Sequence, residues 1–111
     1  MGRFIKGDVV VLPFPYSDLS ASKKRPALVL ATPKDDEAIV CQITTQTSRA
    51  DYVISLTETD FSQGKLKEAS YIRPNHIFMA EPKIIQYSVG KLKPLKVEEV
   101  IESVIKILRE K

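Results

Sequence analysis

The sequence predicts a small, strongly bent antiparallel β-sheet or barrel with one helix at its carboxyl end. Three observations predict it. Short apolar runs recur through the first two thirds of the chain with turn residues between them, at the spacing of roughly eight to twelve residues typical of all-β domains. The final segment switches to helical periodicity, which would cover one opening or one edge of the sheet. A chain of 111 residues, 43% hydrophobic and 28% charged, builds one core rather than two and is composed like a folded domain, so residues 1–111 are read as a single domain.

The first strand runs from Asp8 to Leu12 and is introduced by Gly7. The segment PFPYSDLSASKK, Pro13 to Lys24, is rich in Pro, Ser and Asp and reads as a loop. Its length nears the about 12–15 residues above which loops in compact domains are usually functional. Pro26 to Ala31 forms a second, buried strand, with Arg25 at its mouth and Pro26 fixing the backbone as the chain enters it. After the turn TPKDDE, Ala38 to Thr44 is the third strand, and Tyr52 to Leu56 the fourth. TETDFSQGK reads as a turn or a single helical turn ended by Gly64. Ala69–Ile72 and His76–Met79 read as two strands around a Pro74-Asn75 turn, and Tyr87–Leu92 as the last.

The helix carries Val97, Val100, Ile101, Val104, Ile105 and Leu108 at three- and four-residue spacing. Ile107 falls outside that stripe. Glu98 and Glu99 lie toward its amino end and Lys106, Arg109 and Lys111 toward its carboxyl end, as the helix dipole prefers.

Several chemistries lack their parts. The four glycines are scattered without phosphate-loop or dinucleotide spacing. A single cysteine, Cys41, excludes an internal disulfide and a cysteine-rich zinc site. His76 is the one histidine, read here as a structural residue at a strand start, and the carboxylates show no metal or glycosidase pairing. No cofactor and no metal are expected. No run approaches the roughly 20 apolar residues that span a bilayer, and MGRFIKGD lacks a signal-peptide core, so a cytoplasmic protein without membrane attachment is expected.

What remains is arginine, hydroxyls and at most one carboxylate, which suits phosphate chemistry. The net charge is +3, with Lys23, Lys24 and Arg25 clustered, a patch open to nucleic acid or to an acidic protein. KKRPALVL puts Arg25 against a rigid strand, where it either blunts a strand end or grips a phosphate. ITTQTSR puts Thr44 and Thr45 near another strand end, as β-branched filler or as hydroxyls sharing that phosphate.

GDVVVLPF, KRPALVL, AIVCQITTQ, ASYIRPNHIF and VGKLKP, in this order over almost the whole chain, resemble the MazF/PemK family of toxin endoribonucleases. The resemblance implies an SH3-like barrel that forms a homodimer, cleaves single-stranded mRNA without metal, and is neutralised by a cognate antitoxin, an acidic partner with which such toxins also bind DNA. It puts the catalytic arginine on Arg25, the catalytic threonine on Thr44, and the loop that lines the RNA groove on Pro13 to Lys24. Relatives carry Gly-Ser-Glu in that loop; here it reads Ser17-Asp18-Leu19-Ser20, and Asp18 serves either a turn or as the missing general base. Phe14 and Tyr16 either stack on unpaired bases or plug the barrel mouth. Lys23, Lys24, Thr45, Gln46, Ser70 and Arg73 complete the RNA-binding candidates. Two other functions stay open: a gyrase-poisoning binding protein like the CcdB toxins, and an inactive barrel kept as an antitoxin sink. The Arg25 and Thr44 pair favours the nuclease, since a gyrase poison needs no phosphate grip.

Overall fold

A computed structural model describes residues 4–14, 23–45 and 52–110. Its strands are β1 (Asp8–Phe14), β2 (Lys23–Lys34), β3 (Glu37–Thr44), β4 (Ile54–Leu56), β5 (Phe61–Gly64), β6 (Ser70–Ala80) and β7 (Tyr87–Leu92), followed by helix α1 (Pro94–Arg109). They form one antiparallel sheet in the order β4-β6-β3-β2-β1-β7-β5. Register shifts interrupt the β1–β7, β2–β3, β3–β6 and β5–β7 ladders. Each adds local twist and bend, which curls the sheet into a half-barrel.

Alternation along the strands sends side chains to two faces, and each face has its own core. Val9, Leu28, Cys41, Ile43, Leu56, Phe61 and Ile72 pack with Val97 and Val100 of the helix. Val10, Leu12, Ala27, Val29, Val40 and Ala80 form the other core, closed by Ile85 and flanked by Phe4 and Phe78 with no helical residue. Burying a Leu, Ile or Val on either face stabilises the fold by about 1.5–3 kcal/mol.

Several expectations change. The β1–β2 hairpin runs past the expected loop edges, pairing Pro13 with Lys24 and Phe14 with Lys23, so Arg25 lies inside β2 rather than at its mouth. The fourth strand shrinks to Ile54–Leu56. The TETDFSQGK segment holds a 3₁₀ turn, Glu58–Asp60, and then an edge strand, β5. The two strands expected around Pro74-Asn75 are one, β6, because the dipeptide sits in a bulge rather than a turn and Pro74 is fully buried.

The helix begins at Pro94. Proline suits a first helical position because its missing N–H has no intrahelical partner there. Glu98 and Glu99 therefore lie beyond the first turn, which holds Lys96 instead. That lysine bridges Asp60 at 3.7 Å and Glu99 at 3.2 Å, and Lys93 N donates to Asp60 O at 2.9 Å. The carboxyl end carries Lys106 and Arg109, as expected. Only Val97 and Val100 of the stripe are fully buried; Ile105 is 38% exposed and Leu108 71%, whereas Ile107 is half-buried.

Candidate functional site

Strand register decides which polar residues can meet. β2 and β3 pair through Ala27↔Gln42, Leu28↔Cys41 and Val29↔Val40. Two residues back along β2 and two forward along β3, the same register sets Arg25 across from Thr44. β1 places Leu12 beside Arg25, β6 places Tyr71 beside Thr44, and β4 places Ser55 beside Tyr71. One row thus crosses five strands: Leu12, Arg25, Thr44, Tyr71, Ser55. Facing residues on neighbouring strands have Cβ atoms about 4.5–5.5 Å apart, so a guanidinium and a hydroxyl can reach one phosphate.

The row lies on the helix-free face, since Leu12 belongs to that core and Ala27 and Val40 alternate in phase with Arg25 and Thr44. Arg25 is half-buried and Thr44 is 9% exposed, so both are held by their surroundings, and each interacts with other parts of the chain.

The adjacent row is less regular. Between Cys41↔Ile77 and Ile43↔Ile72 the β3–β6 register jumps, so that Gln42 alone is opposed by Arg73, Pro74, Asn75 and His76. Gln42 is 3% exposed and its Oε1 has no hydrogen-bond partner; the buried Nε of Arg73 likewise has none. Leaving a buried polar atom unsatisfied costs about 1–3 kcal/mol, and such atoms need an explanation. Burial, reinforced by the Arg73 charge, holds His76 below its ordinary value. Burial pushes the Cys41 thiol up to about 12, which removes it from nucleophilic chemistry at neutral pH.

The structure brings Arg25, Thr44 and Arg73 to one face. It does not bring Ser70 there. Ser70 pairs with Leu56 of the helix-side core, and its hydroxyl donates to Glu68 O at 2.9 Å, closing a turn. Lys24 is exposed and alternates away from Arg25, and Thr45 is exposed at a bend beyond β3. Lys23 and Phe14 pair at the open end of the β1–β2 hairpin. Tyr16, Asp18 and Gln46 lie outside the described residues.

Gln42, Tyr71 and Ser55 were not among the sequence candidates. Gln42 had a visible signal, a lone amide in phase with Ala38, Val40 and Thr44 within an apolar strand; the other two depend on register alone. A cavity of about 450 Å³ lies elsewhere, at the amino end of α1, lined by Lys6, Ser62, Lys91 and Val97. Lys91 there is paired with Asp8 at 3.3 Å, and the Arg25 row contributes nothing to the cavity. Among the described residues no group of three or more His, Cys, Asp or Glu is arranged to hold a metal ion, and no helix is long and apolar enough to cross a membrane.

The sequence pattern of the PemK-like, MazF-like toxins of type II toxin-antitoxin systems matches residues 5–108. The chain belongs to that family. Similar solved structures include MazF (Form-I) from Deinococcus radiodurans, with a TM-score of 0.78 and 16% identity over 99% of this chain and 100% of that one. Mycobacterium tuberculosis toxin MazF-mt6 gives 0.71 and 14% over 94% and 98%. An endoribonuclease in complex with its cognate antitoxin from Mycobacterial species gives 0.73 and 12% over 95% and 94%. At such identities these neighbours establish the MazF fold. No curated protein matches the sequence.

Proposed function

We propose that this toxin is a sequence-selective endoribonuclease that cleaves single-stranded RNA without a metal ion. The observation that supports the reading is the β2–β3 register at Ala27↔Gln42, which, continued by two residues, puts Arg25 opposite Thr44 on the helix-free face. RNA supplies its own nucleophile, the 2′-hydroxyl, so the protein need only align it with the neighbouring phosphorus and stabilise the charge that builds there. Arg25 binds the nonbridging oxygens as that charge develops. Thr44 hydrogen-bonds the same phosphate and fixes its orientation. Tyr71, beside Thr44, offers an aromatic face to an unpaired base. Cleavage leaves a 2′,3′-cyclic phosphate and a 5′-hydroxyl.

The partners follow from family and charge. A cognate antitoxin with an acidic, partly disordered tail covers the basic groove of a homodimer in the cytoplasm. Three of the similar solved structures are described with a partner, an endoribonuclease with its cognate antitoxin from Mycobacterial species and two forms of MazE-MazF from Deinococcus radiodurans, which supports an antitoxin partner.

The test incubates purified protein with a long RNA in excess chelator and maps the new 5′ ends. Arg25→Ala and Thr44→Ala are each expected to lower cleavage about 10²–10³-fold while staying folded, as loss of one charge-stabilising donor does. Full activity in Arg25→Ala overturns the mechanism, and a divalent-metal requirement overturns the metal-free chemistry. Persistent double-strand breaks in plasmid DNA without RNA cleavage would replace the reading with gyrase poisoning.

A further inference from the structure

Cleavage by a 2′-hydroxyl requires a group to take its proton, and neither member of the central pair is suited to it. Arginine stays protonated in proteins, and a threonine hydroxyl is a very weak base. The bulge in β6 supplies a better group one row away. Continued from Cys41↔Ile77, the register assigns the place opposite Gln42 to His76; continued from Ile43↔Ile72, it assigns the same place to Arg73. Four residues of β6 thus oppose one of β3, with Arg73 and His76 at the two ends of the bulge. Ile77 pairs with Cys41 of the helix-side core, so His76 alternates to the face of Gln42, Thr44 and Arg25. Bulges recur beside active sites because they re-aim a side chain in this way. The regular sheet builds the phosphate site; the irregular part adds the only imidazole in the sequence.

From this placement we infer that His76 is the general base of the toxin, with Gln42 as its positioning residue. The inference rests on the endoribonuclease reading. The His76 lone pair takes the proton of the 2′-hydroxyl as its oxygen bonds to phosphorus. The bond from phosphorus to the 5′-oxygen breaks, and that oxygen leaves as a hydroxyl with a proton from water. The imidazolium then returns its proton to solvent, so nothing is gained or lost. Gln42 Oε1, buried and unpartnered in the absence of RNA, accepts a hydrogen bond from the opposite ring nitrogen and thereby fixes the reactive tautomer.

Among the described residues, those that alternation and register put on the same face in the rows beside His76 are Arg73 and Tyr71 of its own strand, Gln42 and Thr44 of β3, Arg25 of β2 and Ser55 of β4. The charged ones of these are both arginines, and the Arg73 charge favours the neutral ring. Burial acts in the same direction, so the imidazole is neutral and able to accept a proton at pH 7.

The test is single-turnover cleavage of one defined RNA from about pH 4.5 to about 8.5, a range centred on the ordinary histidine value of ~6.5. Binding of the same RNA with a 2′-deoxy cleavage site is measured in parallel. The wild-type rate should rise with pH along a limb whose midpoint lies below ~6.5. His76→Gln should slow cleavage about 10²–10⁴-fold, abolish that limb and leave binding unchanged. Added imidazole should restore part of the rate to His76→Ala, and Gln42→Leu should move the limb without weakening binding. The inference is overturned if His76→Gln keeps the limb and a rate within about threefold of wild type, a small fraction of a base's usual share. It is also overturned if binding falls in step with rate, or if Asp18→Asn alone removes the limb. A wild-type protein that cuts no RNA at any pH overturns the endoribonuclease reading itself, a different result.

Discussion

Gly90→Ala should loosen one edge of the sheet without touching its chemistry. Gly64 and Gly90 face each other across β5 and β7. A Cβ built on Gly90 would sit 2.4 Å from Gln63 O and 2.9 Å from Phe61 Cδ2, against 3.4 Å for ordinary contact. The nearer atom is backbone and cannot rotate away, so β5 must retreat by about 1 Å, more than a packed interface absorbs without losing contacts. β5 is an edge strand whose one neighbour in the sheet is β7, and Phe61 anchors it in the helix-side core at 8% exposure. Losing most of the Phe61 burial costs about 2 kcal/mol, and one or two ladder hydrogen bonds about 1 kcal/mol each, or roughly 3–4 kcal/mol together. At about 4 °C per kcal/mol for a domain of this size, Tm should fall roughly 12–16 °C. Thermal unfolding followed by far-ultraviolet circular dichroism measures it, with wild type at equal concentration and pH. RNA cleavage well below Tm should be unchanged, because β5 is separated from Arg25 and Thr44 by β7 and β1. A fall of less than about 3 °C, below the shift for one lost kcal/mol, would refute the reasoning.

Two further outcomes concern titratable groups. Cys41, buried with its thiol pushed up to about 12, should resist a thiol-specific reagent at pH 8 in the native protein and react as one equivalent in denaturant; rapid labelling of the native state would contradict the burial. His76 is held low in the fold, so the unfolded chain binds more protons as pH falls. Its contribution to stability is complete above the unfolded value of ~6.5 and is lost as pH drops through the lower folded value. The urea midpoint should therefore decline as pH falls below ~6.5 more steeply for wild type than for His76→Gln, and equal slopes would remove the effect.

Much of the fold was legible because its strands are written in β-branched runs bounded by turn residues. The third strand and the last were read within a residue of where they lie. Failures cluster where tertiary context overrides local signal. Pro74-Asn75 has turn chemistry, yet burial of Pro74 against the sheet carries β6 straight through it. Pro13 and Lys24 read as loop, yet the hairpin extends through them because β1 and β2 continue to pair. The candidate site divides in the same way. Arg25 and Thr44 could be singled out by residue type and context, but their facing positions follow from the β2–β3 register, which no local pattern encodes. Ser70 shows the converse, a plausible hydroxyl that alternation turns to the wrong face. His76 reads as a strand start because the bulge that carries β6 through Pro74-Asn75 depends on strand pairing.

β2 is the middle strand of seven, with three on either side. Freeing Arg25 by local opening would mean peeling away half the sheet, an excursion close in cost to global unfolding. On the function proposed above, the backbone that carries Arg25 is therefore set as soon as the sheet folds, and restraint would have to come from outside, from something that covers the groove and can later be removed.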